Sequence, residues 1–275
     1  TPMTYLTEAY GWRHAMMFDA AFGLVIWLLI MLFVEDYPLG YESIKDTQET
    51  QLSELGYMRS LRISLLRMQN WLCGLYTCFL NLPIYLLGGF MGTPYLIEVQ
   101  GYTRDEAALV MTTLFFGATI GSPLMGWISD KVGLRRQPMM WGALLSFVIV
   151  LLIMYAGHVS TTLMTLLFFA LGVVTSSQVI SYPTVAESSP QMLTATSVSV
   201  VSITVISSGA IFQPIFGKLI DLHHGGQTHG AYTASDLQFA MWIFPVCFLL
   251  GLLLAVAIKE THCKATDKNW RALHG

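Results

Sequence analysis

A few polar side chains lie inside the long apolar runs of this sequence, where they could bind a polar solute. Asn81 and Gln178 carry amides, which both donate and accept hydrogen bonds, and Tyr85 carries a hydroxyl. An amide is costly in hydrocarbon unless it meets a partner or a water-filled cavity. The amides therefore favour solute binding. The candidate substrate contacts are Tyr76, Asn81, Tyr85, Ser176, Gln178 and Gln213.

The hydroxyl residues of the same runs have a second interpretation. Serine and threonine in membrane helices often bond a carbonyl of their own preceding turn, or let two helices approach closely. Packing is the favoured interpretation for this group as a whole, and binding is favoured for Asn81 and Gln178.

Charged residues gather in one short stretch, GSPLMGWISDKVGLRRQ at 121–137, between two apolar runs. A turn this short needs the backbone freedom of Gly133. Several cations in a short loop are typical of the cytoplasmic side of a membrane. The stretch predicts a tight cationic hairpin between two membrane helices. Its charged residues are Asp130, Lys131, Arg135 and Arg136.

The same apolar runs give little evidence for catalysis or for metal binding. An enzyme within the bilayer would need a nucleophile, a base or metal ligands that converge, and no such set is present. The four cysteines fit no disulfide framework or ligand spacing. His223, His224 and His229 lie in a glycine-rich stretch that matches no standard metal site, and we expect a flexible outer loop. We expect no enzyme activity, no cofactor and no metal.

The composition indicates a membrane protein. Of 275 residues, 54% are hydrophobic and 11% are charged, against about 25% charged residues in soluble domains. The net charge is −3 and the cations are dispersed in loops, so we expect no nucleic-acid partner. Seven apolar runs are long enough to cross a bilayer of about 30 Å, which predicts an all-α protein with seven transmembrane helices. The runs are 15–34, 71–96, 106–129, 139–156, 162–182, 194–218 and 239–258.

The long polar segment 35–70 changes character along its length. Its first part is acidic and is broken by Pro38 and Gly40. Its second part predicts a basic amphipathic helix on the inner membrane surface, with a solvated linker helix as the alternative. The apolar residues at helical spacing are Met58, Leu61, Leu65 and Met68.

The cations predict an orientation. If 35–70 is cytoplasmic, eleven of the 14 Lys and Arg residues lie inside, and only Arg13, Arg104 and Lys218 lie outside. By the positive-inside rule the carboxyl terminus is then cytoplasmic.

A short pattern, P-x-x-G-x-x-x-D, occurs twice. Each copy lies at the end of a span. The two spans cross the membrane in opposite directions, so the two copies lie at opposite membrane faces. An inverted repeat of three helices has this property. The copies are Pro123, Gly126 and Asp130, and Pro214, Gly217 and Asp221.

The hairpin also resembles the signature loop of the major facilitator superfamily, G-x-x-x-D-K-x-G-x-R-R. The resemblance departs from the strongest pattern at Leu134, where an arginine is common. It implies that the last six spans are the carboxyl-terminal half of a twelve-helix transporter, built from two inverted three-helix repeats. The matching residues are Gly126, Asp130, Lys131, Gly133, Arg135 and Arg136.

The resemblance divides the chain into four parts. They are an outer stub with the last helix of the amino-terminal half (1–34), a central cytoplasmic loop with the amphipathic helix (35–70), the six-helix half (71–260) and a cytoplasmic tail (261–275). Because the chain opens on Thr1 and contains seven of the twelve expected helices, we expect a fragment that acts with a missing amino-terminal half.

The resemblance also implies roles for single residues. The spans 71–96 and 162–182 resemble the seventh and tenth helices, which line the transport pathway. Glu187 would lie near Asp130 and the two arginines and form an ion-pair lock on the cytoplasmic side, although a plain helix-end carboxylate is the alternative. The expected cytoplasmic gate comprises Gly126, Asp130, Lys131, Gly133, Arg135, Arg136 and Glu187.

The expected function is secondary active transport of a small polar metabolite by alternating access, coupled to protons. Glu187, Gln213–Pro214 and the stretch 259–262 most resemble bacterial metabolite-uptake members, which implies the bacterial inner membrane. No glycine-rich ATP-binding loop is present. A membrane sensor or scaffold that does not transport remains the alternative.

Overall fold

The computed structural model describes residues 6–7, 9–34, 56–224 and 232–265. These ranges contain helices and no strand, and seven of the helices are long and apolar enough to cross a membrane. The predicted all-α architecture with seven spans is therefore confirmed. In chain order the helices are α1 (Trp12–Phe33), α2 (Tyr57–Leu66), α3 (Met68–Glu98), α4 (Arg104–Val132), α5 (Arg136–Tyr155), α6 (Thr161–Ser188), α7 (Gln191–His223) and α8 (Ala234–Ala257).

The chain forms two compact units, 1–51 and 52–275. The first contains α1, whose side chains are exposed except for Ala15. The second contains the other seven helices. The predicted division into four parts stays a prediction, and its acidic segment falls within 35–55, outside the described residues.

The closest helix pair in the second unit is α4 with α6. A Cβ added at Gly172 on α6 would lie 2.2 Å from the carbonyl oxygen of Leu114 on α4, and one at Gly117 would lie 2.2 Å from that of Phe169. Small residues let membrane helices approach to this distance, where van der Waals packing replaces the hydrophobic effect. The α6 backbone therefore lies directly against that of α4.

Irregular turns interrupt three of the long helices, and that of α8 lies at Met241 and Trp242. In α3 the α-helix ends at Leu80, and a π-helical stretch runs over Pro83–Met91 before the helix resumes. Proline has no N–H to donate, so it weakens the regular ladder here. In α6 the stretch Ser176–Ile180 is a 3₁₀-helix. Irregular backbone at membrane depth occurs where it lines a cavity or is covered by protein.

The short helix α2 packs against the bundle through small residues, and its predicted place on the inner membrane surface stays a prediction. Its buried side carries Ser60 and Ser64, and the hydroxyl of Ser197 on α7 donates to that of Ser64 at 3.3 Å. The methionine–leucine set does not share one helix, because α2 ends at Leu66 and Met68 begins α3. Small residues therefore form the protein-facing side.

The two copies of the P-x-x-G-x-x-x-D pattern lie at opposite ends of α8. Asp221 accepts a hydrogen bond at 3.2 Å from the hydroxyl of Tyr232, just before α8 begins. Asp130 forms an ion pair with Arg135. The backbone N–H of Arg135 donates to Glu260, which lies just after the end of α8. This placement agrees with an inverted repeat, which stays a prediction.

Candidate functional site

The two amides singled out by the sequence contact each other. The side-chain N–H of Gln178 on α6 donates to Oδ1 of Asn81 on α3 at 2.8 Å. Asn81 is buried and Gln178 is half-buried. The Oε1 atom of Gln178 is buried and has no hydrogen-bond partner among the described residues. The pair therefore keeps unused hydrogen-bonding capacity inside the bundle.

The amide pair lies where both helices are irregular. Asn81 occupies the turn between the α-helical and π-helical parts of α3, and Gln178 is the middle residue of the 3₁₀ stretch in α6. A second contact joins the same places, since the hydroxyl of Thr77 donates to the carbonyl of Gln178 at 3.3 Å. Mid-helix departures from α geometry often mark hinges or functional sites.

A third helix adds polar and aromatic contacts one turn further along α3. The side-chain N–H of Gln213 on α7 donates to the carbonyl of Tyr85 at 3.4 Å. The Tyr85 ring lies against Gly209 of α7, where an added Cβ would be 3.2 Å from Cδ1 of the ring. Glycine at this position lets the half-buried ring lie along the α7 backbone.

Two of the expected substrate contacts lie in packed surroundings instead. The hydroxyl of Tyr76 is fully buried, donates to the carbonyl of Met139 at 2.8 Å and lies 2.8 Å from Oγ of Ser177. The hydroxyl of Ser176 donates to the carbonyls of Gly172 and Ala118. Both hydroxyls are satisfied between helices, an arrangement that fits helix packing, and their assignment as substrate contacts stays a prediction.

A buried arginine dominates the predicted gate. Arg135 lies in the turn between α4 and α5, and its side chain is 6% exposed. Its guanidinium pairs with Glu187 at the end of α6 and with Asp130 at the end of α4, each at 2.6 Å. It also donates to the hydroxyl of Ser129 at 3.0 Å. One cation thus joins the ends of two spans.

The partners of Arg135 differ in exposure. The Glu187 side chain is 15% exposed, whereas that of Asp130 is 65% exposed. Burial alone would lower the pKa of Arg135, but the hydrogen bonds that its guanidinium donates to Glu187 and Asp130 outweigh burial and raise that pKa above its ordinary value. Arg135 therefore stays charged, and its stronger attraction is to the less exposed Glu187.

The segment after α8 completes the network, and sequence reasoning missed its role. The carboxylate of Glu260 accepts the backbone N–H groups of Arg135 and Arg136, each at 2.8 Å. It thereby caps the start of α5, where unpaired N–H groups favour an anion. The hydroxyl of Thr261 donates to Glu187 at 2.5 Å. The sequence feature that could have indicated this role is a carboxylate directly after a span.

The other expected gate residues have smaller roles in this arrangement. Gly133 ends α4 with a φ of 71°, a left-handed conformation that glycine adopts without strain. The ammonium of Lys131 lies 4.7 Å from the centre of the Trp127 ring, a cation–π contact. Arg136 enters the network through its backbone. A Cβ at Gly126 would meet no described atom within 4 Å.

The histidine stretch differs from the expected loop. Nδ1 of His223 and Nδ1 of His224 lie 2.7 and 2.8 Å from the two carboxylate oxygens of Asp236, which is buried near the start of α8. Folding brings the carboxylate of Asp236 to both histidines from 12 and 13 residues further along the chain. His229 lies outside the described residues.

The fold defines a bundle of membrane helices with polar contacts inside it. The sequence model of the Major Facilitator Superfamily matches residues 75–272, and the chain belongs to this family. It is an integral membrane protein of a transporter family, as the sequence predicted.

Two curated relatives are bacterial transporters. The chain is 24% identical over 163 residues to the putative transporter AraJ of Escherichia coli, across 58% of this chain and 36% of that protein. It is 28% identical over 149 residues to the gentisate transporter of Corynebacterium glutamicum, across 54% of this chain and 33% of that protein. The chain thus spans about a third of the length of these relatives. No solved structure matches it.

Proposed function

We propose that this chain is the carboxyl-terminal half of a secondary active transporter that moves a small polar metabolite by alternating access. The observation that carries the proposal is the Asn81–Gln178 pair, placed at the irregular turns of α3 and α6 with one amide oxygen unpartnered. A solute with donor and acceptor groups can replace this internal bond without leaving an amide unsatisfied in hydrocarbon.

The proposed binding set is uncharged and comes from three helices. Asn81 and Tyr85 lie on α3, Gln178 lies on α6, and Gln213 lies on α7. Amides and a phenol suit hydroxyl, carbonyl or carboxylate groups of a solute. Because the set contains no carboxylate and no histidine, we place proton coupling in the expected amino-terminal half.

The Arg135 network is proposed as part of the cytoplasmic gate. Glu187 and Glu260 hold the α4–α5 turn in place, while Asp130 projects to the rim with most of its side chain exposed. Asp130 is therefore the member that can exchange partners when the two halves rock. A contact that forms in only one of two conformations stabilises that conformation by the full free energy of the contact. It therefore shifts the equilibrium between the two conformations.

Uptake into proteoliposomes tests the function. The protein carrying the expected amino-terminal half should accumulate a polar solute when an inward proton gradient is imposed, and collapse of the gradient should abolish accumulation. The name of one relative makes gentisate a first solute to try. Folded protein that takes up no solute from a broad panel, with or without the gradient, would contradict transport and favour the sensor alternative.

The proposed orientation puts α2 and the α4–α5 turn in the cytoplasm of a bacterium, at the inner membrane. Arg59 on α2 and Ala234 at the start of α8 are both exposed. In a Cys263→Ser background, which removes the one described cysteine that is not buried, Arg59→Cys should react with an impermeant maleimide only after the cells are opened. Ala234→Cys should react in intact cells. The reverse pattern would overturn the orientation.

A further inference from the structure

Among the residues that the structure describes, one carboxylate lies well inside a membrane span. Asp19 is the eighth residue of the 22-residue helix α1. Every other carboxylate of the seven described spans is one of the first three or the last three residues of its helix. Those carboxylates lie near the membrane boundary, where water can solvate them, and Asp19 does not.

The length of α1 indicates how deep Asp19 lies. At a rise of about 1.5 Å per residue the helix is about 33 Å long, close to the ~30 Å thickness of the hydrocarbon core of a bilayer. Trp12 at the start of α1 is 62% exposed, and the guanidinium of Arg13 lies 5.2 Å from the centre of its ring. Such a pair is typical of the membrane interface. Asp19 therefore lies about 10 Å inside that boundary, beyond the reach of its short side chain.

Asp19 has no charged neighbour on its own helix. It is exposed, and it forms no hydrogen bond or ion pair with the part of the chain that the structure describes. The other titratable groups among the described residues of the unit 1–51 are Tyr10, Arg13 and His14. None of them is three or four residues from Asp19, the spacing of neighbours on a helix surface. The residues at that spacing are Ala15, Met16, Phe22 and Gly23.

The chemistry of this position fits a proton better than a metal cation. A carboxylate in hydrocarbon is costly while it is charged, and one proton removes the charge. Hard metal cations need several oxygen ligands, and the sequence of α1 contains no other acidic, hydroxyl or amide side chain. A single carboxylate can take up and release a proton without such a ligand set.

We propose that Asp19 binds the proton that drives transport. The inference rests on the proposed function, since a coupling proton has a role only in a transporter. It places the coupling site on α1, the helix that the sequence assigns to the amino-terminal half. Proton binding changes the charge inside the membrane by one unit, and a change of this kind shifts the balance between two conformations that solvate the carboxylate differently.

Labelling with dicyclohexylcarbodiimide tests proton binding without any transport measurement. This apolar reagent adds to a protonated carboxyl group, and the adduct rearranges to a stable N-acylurea that peptide mass spectrometry locates. In proteoliposomes Asp19 should be labelled more than Asp105, an exposed carboxylate in the first turn of α4. Labelling of Asp19 should fall as the pH is raised, because an ionised carboxylate does not react. Equal labelling of the two residues, or no change with pH, would contradict a proton site within the membrane.

Two variants separate coupling from solute binding. The solute is the one that the parent protein, carrying the expected amino-terminal half, accumulates most strongly in the panel described above. With a difference of one pH unit and no membrane potential, one coupled proton drives about tenfold accumulation of a neutral solute. Asp19→Asn should lose this factor but still exchange solute across the membrane when no gradient is present. Asp19→Glu should keep part of the accumulation, because it keeps a carboxylate, and Asp105→Asn is the matched control.

Failure of this inference can be told from failure of the proposed function. A parent protein that accumulates no solute would contradict transport itself, and the role of Asp19 with it. If the parent accumulates solute and folded Asp19→Asn accumulates as much, only the role of Asp19 is overturned. Loss of both accumulation and exchange in Asp19→Asn, or accumulation driven by a sodium gradient alone, would also overturn it. Loss of accumulation with exchange retained, in Asp19→Asn and not in Asp105→Asn, would support the proposal.

Discussion

Replacing Glu187 with alanine is expected to lower the free energy of unfolding by about 3 kcal/mol, the low end for breaking a buried ion pair. Arg135 has a 6% exposed side chain, and its guanidinium would keep its charge but lose the partner that contacts both Nε and Nη2. The loss is costly because the protein solvates a buried cation poorly, and the ion-pair partner that remains, Asp130, is 65% exposed and screened by water. The low end applies because the Glu187 side chain is itself 15% exposed.

Asp130→Ala is the matched control for this prediction, since it removes a carboxylate from the same guanidinium. Its effect on unfolding should stay below about 1 kcal/mol, because Asp130 is 65% exposed and water screens the pair. Thermal unfolding of the two purified variants in one detergent compares them directly. Equal decreases in Tm would show that burial does not determine how much each of these two ion pairs contributes to stability.

The Asp130→Ala variant also distinguishes a role of Asp130 in stability from a role in gating. If Asp130 changes partners between conformations, its loss should slow uptake while the amount of folded protein stays near that of the parent. An uptake rate equal to that of the parent would leave Asp130 as part of an ordinary turn.

The sequence predicted the spans well because hydropathy over about 20 residues reports a property that the bilayer imposes on every helix. It also placed Glu187 and Arg135 at the ends of their helices, since charges are excluded from the apolar runs. The contact itself depends on which helices are neighbours, and that came from resemblance to the family.

The direction in which each side chain faces was much harder to predict from the sequence. A membrane helix is apolar all round, so periodicity does not distinguish a pathway-facing position from a helix-facing one. Tyr76 and Asn81 lie on the same span, yet the structure buries the first against α5 and α6 and bonds the second to Gln178. Asp236 contacts His223 from 13 residues further along the chain, and no local pattern in the sequence indicates this contact.

Asn81→Ala and Gln178→Ala are each expected to reduce uptake at low solute concentration by about tenfold. Each variant removes hydrogen bonds to the solute worth about 1–1.5 kcal/mol and leaves the other amide without its partner. Because the two residues bond each other, their effects should not add, and the double variant should lose less than the product of the single losses.

Ser176→Ala is the matched control for the amide variants. Ser176 lies two residues before Gln178 in the same 3₁₀ stretch, but its hydroxyl bonds backbone carbonyls of α4 and α6. Its loss should change the stability of the helix contact slightly and leave the apparent affinity for the solute unchanged. The measurement is the initial uptake rate over a range of solute concentrations, normalised to folded protein in the membrane. Amide variants that transport like the parent, or a Ser176→Ala variant that loses as much affinity as they do, would remove the amide pair from the binding site.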